Sequence, residues 1–249
     1  MNKHQLKVFA VFFLVFAAGF TWGVFAGRGK IFPFNQITAI QGYFAGGGGQ
    51  PPAHDSYWYE RTSFFDTFRT TAPIVMVGDS LTDGAEWREM FPQVSIANRG
   101  IDGDTAGGVL ERMGGIVAVR AEKAFIMIGI NDLAEPDKSA DAVFDDYRKI
   151  IATLRDNGSA VFVVSTLMCN EIKAAWKSCS AANPKIKQLN RKLAALAPRE
   201  ITFIDINAKM TDASGLKDEL TTDGVHLNGN GYLLWRDAIS PFVLAGHKR

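Results

Sequence analysis

A chain of 249 residues with 47% hydrophobic content has room for one sizeable α/β domain with a tail, or for two small domains, and enough apolar surface to bury a core. Its formal net charge of +1 and pI of about 7.8 exclude the strong basic excess of a nucleic-acid binder and the acidic excess of a disordered, solvating chain.

The first thirty residues differ from the rest. "MNKHQLK" is polar and basic, Val8 to Gly27 carries no charge, and Arg28 and Lys30 restore it. The uncharged stretch is about 20 residues, the length that spans a bilayer as a helix. Residues 1–30 therefore read as an uncleaved signal-anchor. A cleaved signal peptide is the rival reading, with small residues near Ala26, although a signal core usually runs only about 7–15 residues. Lys3 and Lys7 before the span are balanced by Arg28 and Lys30 after it, and the free amino terminus tips the orientation towards an extracytoplasmic domain. The membrane is then a partner of the chain; in the rival reading the domain is secreted. Glycine and proline in "AGGGGQPP" (Ala45 to Pro52) mark residues 31–54 as a linker, and the folded domain is expected over 55–249.

Within that domain short apolar runs alternate with helical patterns. The runs at 73–77, 94–97, 124–128, 160–165 and 201–206 read as five buried strands. Between Ser139 and Gly158, the residues Val143, Phe144, Tyr147, Ile150, Ile151 and Leu154 recur at helical spacing, and Asn157-Gly158 supplies the stop. A second helix is expected with Asn183 as cap, Pro184 at its first position and a stripe of Ile186, Leu189, Leu193 and Leu196. "GYLLWRDAI" near the end reads as the last helix. Such alternation predicts a parallel sheet with helices on both faces, joined by right-handed crossovers, with ligands bound outside the carboxyl ends of the strands.

Four polar, glycine-bearing segments follow those runs: Gly78 to Ser80, Asn98 to Thr105, Gly129 to Asp132, and Thr221 to Asn228. The sheet rule gathers all four at one edge. Acyl transfer needs a nucleophile, a base, a group that orients the base, and donors for the oxyanion. Ser80, at a strand-to-helix turn, can stand clear of the sheet as nucleophile and lend its own backbone N–H to the oxyanion. Gly103 can bring up a second backbone N–H because no side chain blocks the approach. Asn131 carries an uncharged amide donor. The base follows by elimination among four histidines: His4 precedes the apolar span, His54 ends the linker, and His247 is almost terminal. That leaves His226, with Asp223 one turn earlier to fix its tautomer. The bland alternative is a histidine in an ordinary turn. One histidine among scattered carboxylates is a poor zinc site.

Cys169 and Cys179 flank a short segment and match no zinc spacing. In an oxidising compartment they could close a small loop; two unrelated buried thiols are the alternative.

Taken together, GDS, then GDT after a glycine turn, then GxND, then DxxH resembles the SGNH (GDSL) hydrolases, most fully the branch containing platelet-activating-factor acetylhydrolase catalytic subunits and related bacterial acyl esterases. The resemblance runs from about Pro73 to Tyr232. It implies a three-layer, flavodoxin-like α/β/α sandwich and a serine esterase with no metal or other cofactor. Residue by residue, it assigns Ser80 as nucleophile, Asp223 and His226 as the other triad members, Ser80, Gly103 and Asn131 as oxyanion donors, and Asp79 as the residue shaping the turn. Asp102 departs from the pattern, where glycine or serine is expected. A carboxylate aimed into the oxyanion hole would oppose catalysis, so Asp102 is expected to point outward.

The resulting expectation is a hydrolase of carboxylic esters, acetyl preferred, acting on a small-molecule, lipid or glycan ester. Alternatives that keep the same site are an envelope polysaccharide O-acyltransferase or deacetylase and a lysophospholipase. A non-catalytic binding module on this fold is opposed by the intact Ser80, Asn131, Asp223 and His226. Trp87, Met90 and Phe91 could line an acyl pocket or simply pack the first helix, and Trp176 could belong to a lid.

Overall fold

A computed structural model describes residues 54–175 and 178–246. The apolar span Val8 to Gly27, nearly all of the linker, and Trp176 lie outside the described residues. Among the described residues, no helix is long and apolar enough to cross a membrane.

The described chain opens with a helix that no one-sided apolar stripe announces, α1 (Ser56–Thr67). Asp55 caps it by accepting from the Trp58 N–H. Trp58 and Phe65 are buried, while Tyr57, Tyr59 and Phe64 are exposed, so its aromatic residues point both inward and outward. Five parallel strands follow: β1 (Ile74–Gly78), β2 (Ile96–Gly100), β3 (Lys123–Met127), β4 (Ala160–Val164) and β5 (Thr202–Ile204). They form one sheet in the order β2-β1-β3-β4-β5, the flavodoxin-like order expected. The longer helices are α2 (Ala106–Glu111), α3 (Ala140–Asp156), α4 (Cys179–Ala194) and α5 (Gly229–Val243). A short antiparallel pair, Thr211–Asp212 with Gly215–Leu216, precedes the last loop.

Strand alternation builds two cores. Val75 and Val77 of β1, with Ile126 and Val163, face one layer, packing with Val109, Ile150 and Leu189 from α2, α3 and α4. Ile74 and Met76, with Phe125 and Ile204, face the other, packing with Trp87, Trp235 and Ile239. Trp87 and Phe91 therefore belong to this core, the plainer of the two roles open to them, while Met90 packs at its margin. The three layers leave the strands' carboxyl ends as the place where loops can gather.

No strand keeps both of its expected bounds, β5 shortening to Thr202–Ile204, and two elements show how pairing and packing set the limits. β2 runs from Ile96 to Gly100, not over 94–97. It is an edge strand whose register is set by pairing with β1, Gly78 opposite Gly100. Its polar residues find partners beyond the sheet: the Asn98 amide donates to the Asp83 carbonyl at 2.9 Å, and the Arg99 guanidinium lies 4.4 Å from the centre of the Phe65 ring. The helix expected to start at Asn183 instead begins at Cys179 and carries Pro184 inside it. Asn183 is occupied elsewhere: buried, it accepts from the Cys169 N–H at 3.1 Å and donates to the Cys169 carbonyl at 2.9 Å. Cys169 and Cys179 are joined in a disulfide. This pinning holds the first turn of α4, so the helix tolerates the single backbone bond that Pro184 cannot make.

Candidate active site

The site is built where β1 ends. A Cβ on Gly78 would collide with the Met127 carbonyl on β3 and with the Thr82 hydroxyl, so only glycine lets the chain leave the sheet this close to its neighbour. Asp79 then caps the short helix Ser80–Asp83, accepting from the Leu81 N–H at 3.1 Å. This places Ser80 at the first helical position, partly exposed at the sheet edge. Asp79 itself is buried, and burial raises its carboxyl to about 7; the neighbouring Asp104 and Asp132 push in the same direction against the Leu81 hydrogen bond.

His226 reaches the same point from the loop before α5. Its Nε2 lies 3.0 Å from Ser80 Oγ, and its Nδ1 lies 2.7 Å from Asp223 Oδ2. The loop is shaped around Asp223, whose Oδ1 accepts from the Val225 and His226 N–H groups at 2.9 and 2.8 Å. The Thr221 hydroxyl donates to the His226 carbonyl at 2.7 Å and accepts from the Gly224 N–H at 2.9 Å, closing the turn. Burial works to raise the Asp223 carboxyl, but hydrogen bonds from the His226 ring and the two backbone N–H groups outweigh it and bring it to about 2. Three residues separated by up to 146 positions thus form one line, Asp223–His226–Ser80.

That line opens on a cleft of about 390 Å³ walled by Tyr57, Ser80, Asp83, Gly84, Asp102 and His226. A second cavity of about 290 Å³, walled in part by Met168, Lys187, Arg191 and Asp205, holds none of these three residues. Asp102 is solvent-exposed and lines the cleft at Ser80, which Gly103 and Asn131 do not. The Asp104 N–H donates to the Ile101 carbonyl at 3.2 Å and Gly103 has a φ of 72°, so residues 101–104 form a tight turn. Asp102 sits at its corner, solvent-exposed yet on the cleft wall beside Ser80.

Gly103 and Asn131 stand at the same carboxyl edge but do not line that cleft. Asn131 follows Gly129 on the short helix Ile130–Ala134, and its amide donates to the Asp104 carbonyl at 2.8 Å. One of its two N–H groups therefore holds the Gly103 loop, which leaves the other. Asp132, the next residue, is buried and accepts from the Ala106 N–H at the start of α2 at 3.0 Å. Burial raises its carboxyl to about 6.

Sequence reasoning missed the residue that joins these parts. Asp104 is buried, and its carboxylate takes the Arg112 guanidinium at 2.7 Å, the Thr105 N–H at 2.9 Å and the Trp58 indole N–H at 3.1 Å. Arg112 also donates to the Gly78 carbonyl at 3.3 Å, tying the loop to the serine turn. Asp104 was in view within the GDT motif, but Arg112 and Trp58 lie in no motif, and no periodicity marks them.

Residues 76–234 match the model of the GDSL-like Lipase/Acylhydrolase family. The chain belongs to this family. The chain is 24% identical over 180 residues to the N-acylneuraminate cytidylyltransferase of Streptococcus agalactiae, a match covering 71% of this chain and 40% of that protein. It thus spans well under half the length of the curated relatives it matches. Among solved structures, it is similar to one from Streptococcus pneumonia described as a candidate platelet activating factor, at 26% identity and TM-score 0.66, covering 75% of this chain and 91% of that one. A GDSL-like lipase from Bacteroides thetaiotaomicron shares the fold at 23% identity and TM-score 0.66, over 75% and 96% of the two chains. So does an acetyl-xylooligosaccharide esterase from Geobacillus, at 18% identity and TM-score 0.57, over 72% and 97%.

Proposed function

We propose that this GDSL hydrolase is a serine esterase that removes short acyl groups, acetyl first, through an acyl-enzyme on Ser80. The observation that carries the reading is the line Asp223–His226–Ser80, with contacts of 2.7 and 3.0 Å, opening on a cleft. His226 Nε2 takes the proton as Ser80 Oγ bonds to the ester carbon. It returns that proton to the alcohol oxygen as the ester C–O bond breaks. Water then attacks the acyl-serine, giving its proton to His226; the carboxylic acid leaves, and Ser80 recovers its hydrogen. The backbone N–H groups of Ser80 and Gly103 and the Asn131 amide serve the oxyanion. Asp223 stays ionised throughout and holds the imidazole in the tautomer that presents a bare Nε2 to Ser80.

The open cleft also suits an O-acetylated glycan, the substrate kind named for the Geobacillus neighbour. A membrane anchor at Val8 to Gly27 and a linker over 31–54 would carry the domain at the cell surface, on the extracytoplasmic side, where the Cys169–Cys179 disulfide is at home. The test is turnover of p-nitrophenyl esters of graded chain length, then of acetylated glycans, by the wild-type chain and Ser80→Ala. Highest kcat/KM on acetate that vanishes in Ser80→Ala is expected. Turnover that survives in Ser80→Ala, or that rises steadily with chain length, would overturn respectively the nucleophile and the short-acyl preference.

A further inference from the structure

The family match begins at residue 76, yet α1, which lies entirely before it, touches both the short helix that starts at Ser80 and the loop that carries Gly103. On one side the Tyr57 hydroxyl donates to Asp83 Oδ2 at 2.7 Å, at the end of the short helix that begins with Ser80, and Tyr57 itself walls the cleft. On the other side Trp58 packs with Phe65 and Ile101, and its indole N–H reaches Asp104 Oδ1.

The second contact has consequences for the chemistry. Asp104 holds three things at once: Arg112 through its Oδ2, the Thr105 N–H through its Oδ1, and the Asn131 amide through its main-chain carbonyl. Gly103, whose N–H is to serve the oxyanion, is the residue before it. The Asp104 carboxylate is buried, so each of its oxygens needs fixed donors, and water does not replace one that is lost. Trp58 and the Thr105 N–H are the two donors given to Oδ1. Without Trp58, Oδ1 keeps only the Thr105 N–H, and the carboxylate is held less firmly between it and Arg112. The loop that carries Gly103 and receives Asn131 is then less firmly set.

We infer that Trp58 of α1 is a positioning residue that sets the oxyanion loop through Asp104. The inference rests on the esterase reading above. A donor set by Trp58 acts on charge that develops only as Ser80 attacks, so its effect belongs in kcat and not in KM.

The experiment measures p-nitrophenyl acetate kinetics and thermal melting on the full chain. It compares wild type, Trp58→Phe, Trp58 replaced by 3-benzothienylalanine, and Phe65→Leu. The benzothienyl residue keeps the shape of tryptophan and loses only the N–H, so it reports on the hydrogen bond even where Trp58→Phe fails to fold. Phe65→Leu loosens the same small cluster without touching Asp104. Both Trp58 changes are expected to lower kcat about tenfold with KM within about twofold, and Phe65→Leu to lower the melting temperature with kcat within about twofold. Wild-type kcat in the benzothienyl variant overturns the inference, as does an equal loss of kcat in Phe65→Leu. Absence of Ser80-dependent turnover in the wild-type chain would instead sink the esterase reading and this inference with it; Ser80-dependent turnover indifferent to Trp58 sinks the inference alone.

Discussion

Replacing Asp223 with asparagine tests whether the carboxylate sets the tautomer of His226. Asp223 Oδ1 accepts two backbone N–H groups, from Val225 and His226, and Oδ2 faces the imidazole at 2.7 Å. In Asp223→Asn the amide oxygen must stay on the two backbone donors, because an NH₂ group there would oppose them. The loop therefore keeps its shape, and the NH₂ group is turned towards Nδ1. A donor facing Nδ1 makes that nitrogen an acceptor and moves the ring proton to Nε2, 3.0 Å from Ser80 Oγ. The base is then blocked where it is needed. In serine proteases the equivalent change costs about 10⁴ in kcat, but there the carboxylate is buried. Here the His226 and Asp223 side chains are 49% and 51% exposed, so water can compete and the ring has freedom to turn. A loss of about 10³ in kcat, roughly 4 kcal/mol, is the expected size, with KM nearly unchanged and little change in melting temperature. The assay is steady-state hydrolysis of p-nitrophenyl acetate at pH 7.5 to 8, with circular dichroism to verify folding. A folded Asp223→Asn protein retaining a third or more of wild-type kcat would refute the tautomer argument.

Other perturbations probe the same site. Ser80→Ala and His226→Ala should each abolish nearly all turnover, and the double variant should lose little more, because the two share one proton transfer; multiplicative losses measured on purified proteins would separate them. Asn131→Ala should cost about 10²–10³ in kcat, and Asn131→Asp at least as much. In the structure the Asn131 amide bonds Asp104, not its own turn, so near-normal kcat in Asn131→Asp would remove it from the oxyanion set. Asp79→Asn should stabilise the protein as pH rises. The folded carboxyl titrates at about 7 against an ordinary 3.8, so the wild type loses stability between those values, by up to about 4 kcal/mol. The variant's advantage in chemical denaturation should be largest above pH 7 and shrink towards pH 4, and a pH-independent difference would contradict the buried-charge account. Reducing the Cys169–Cys179 disulfide, or replacing both residues with serine, should cost about 2–3 kcal/mol in the same assay, and an unchanged midpoint would show that α4 does not depend on it.

Much of the molecule follows from local sequence. Apolar runs of strand length, most of them followed by polar, glycine-bearing segments, carry their own evidence, because alternation and turn chemistry act over a few residues. The five strands, the helix over Ala140–Asp156 and the last helix were legible for that reason. The sequence also offered Ser80, Asp223 and His226 as candidates, because His226 alone among the histidines sits in a motif beside an aspartate, and the fold brings the three into one line. What the tertiary structure alone decided involves partners far apart in the chain. The exit of β2 is set by its pairing with β1, and the start of α4 by Asn183 reaching back to Cys169. Asp102 faces the cleft because the turn at Gly103 puts it on that corner. The Trp58–Asp104–Arg112 junction unites residues 46 and 8 positions apart with the carbonyl of Gly78. No periodicity records such a junction. A buried carboxylate must be satisfied by whatever donors the packing brings to it, and only the folded chain determines which donors those are.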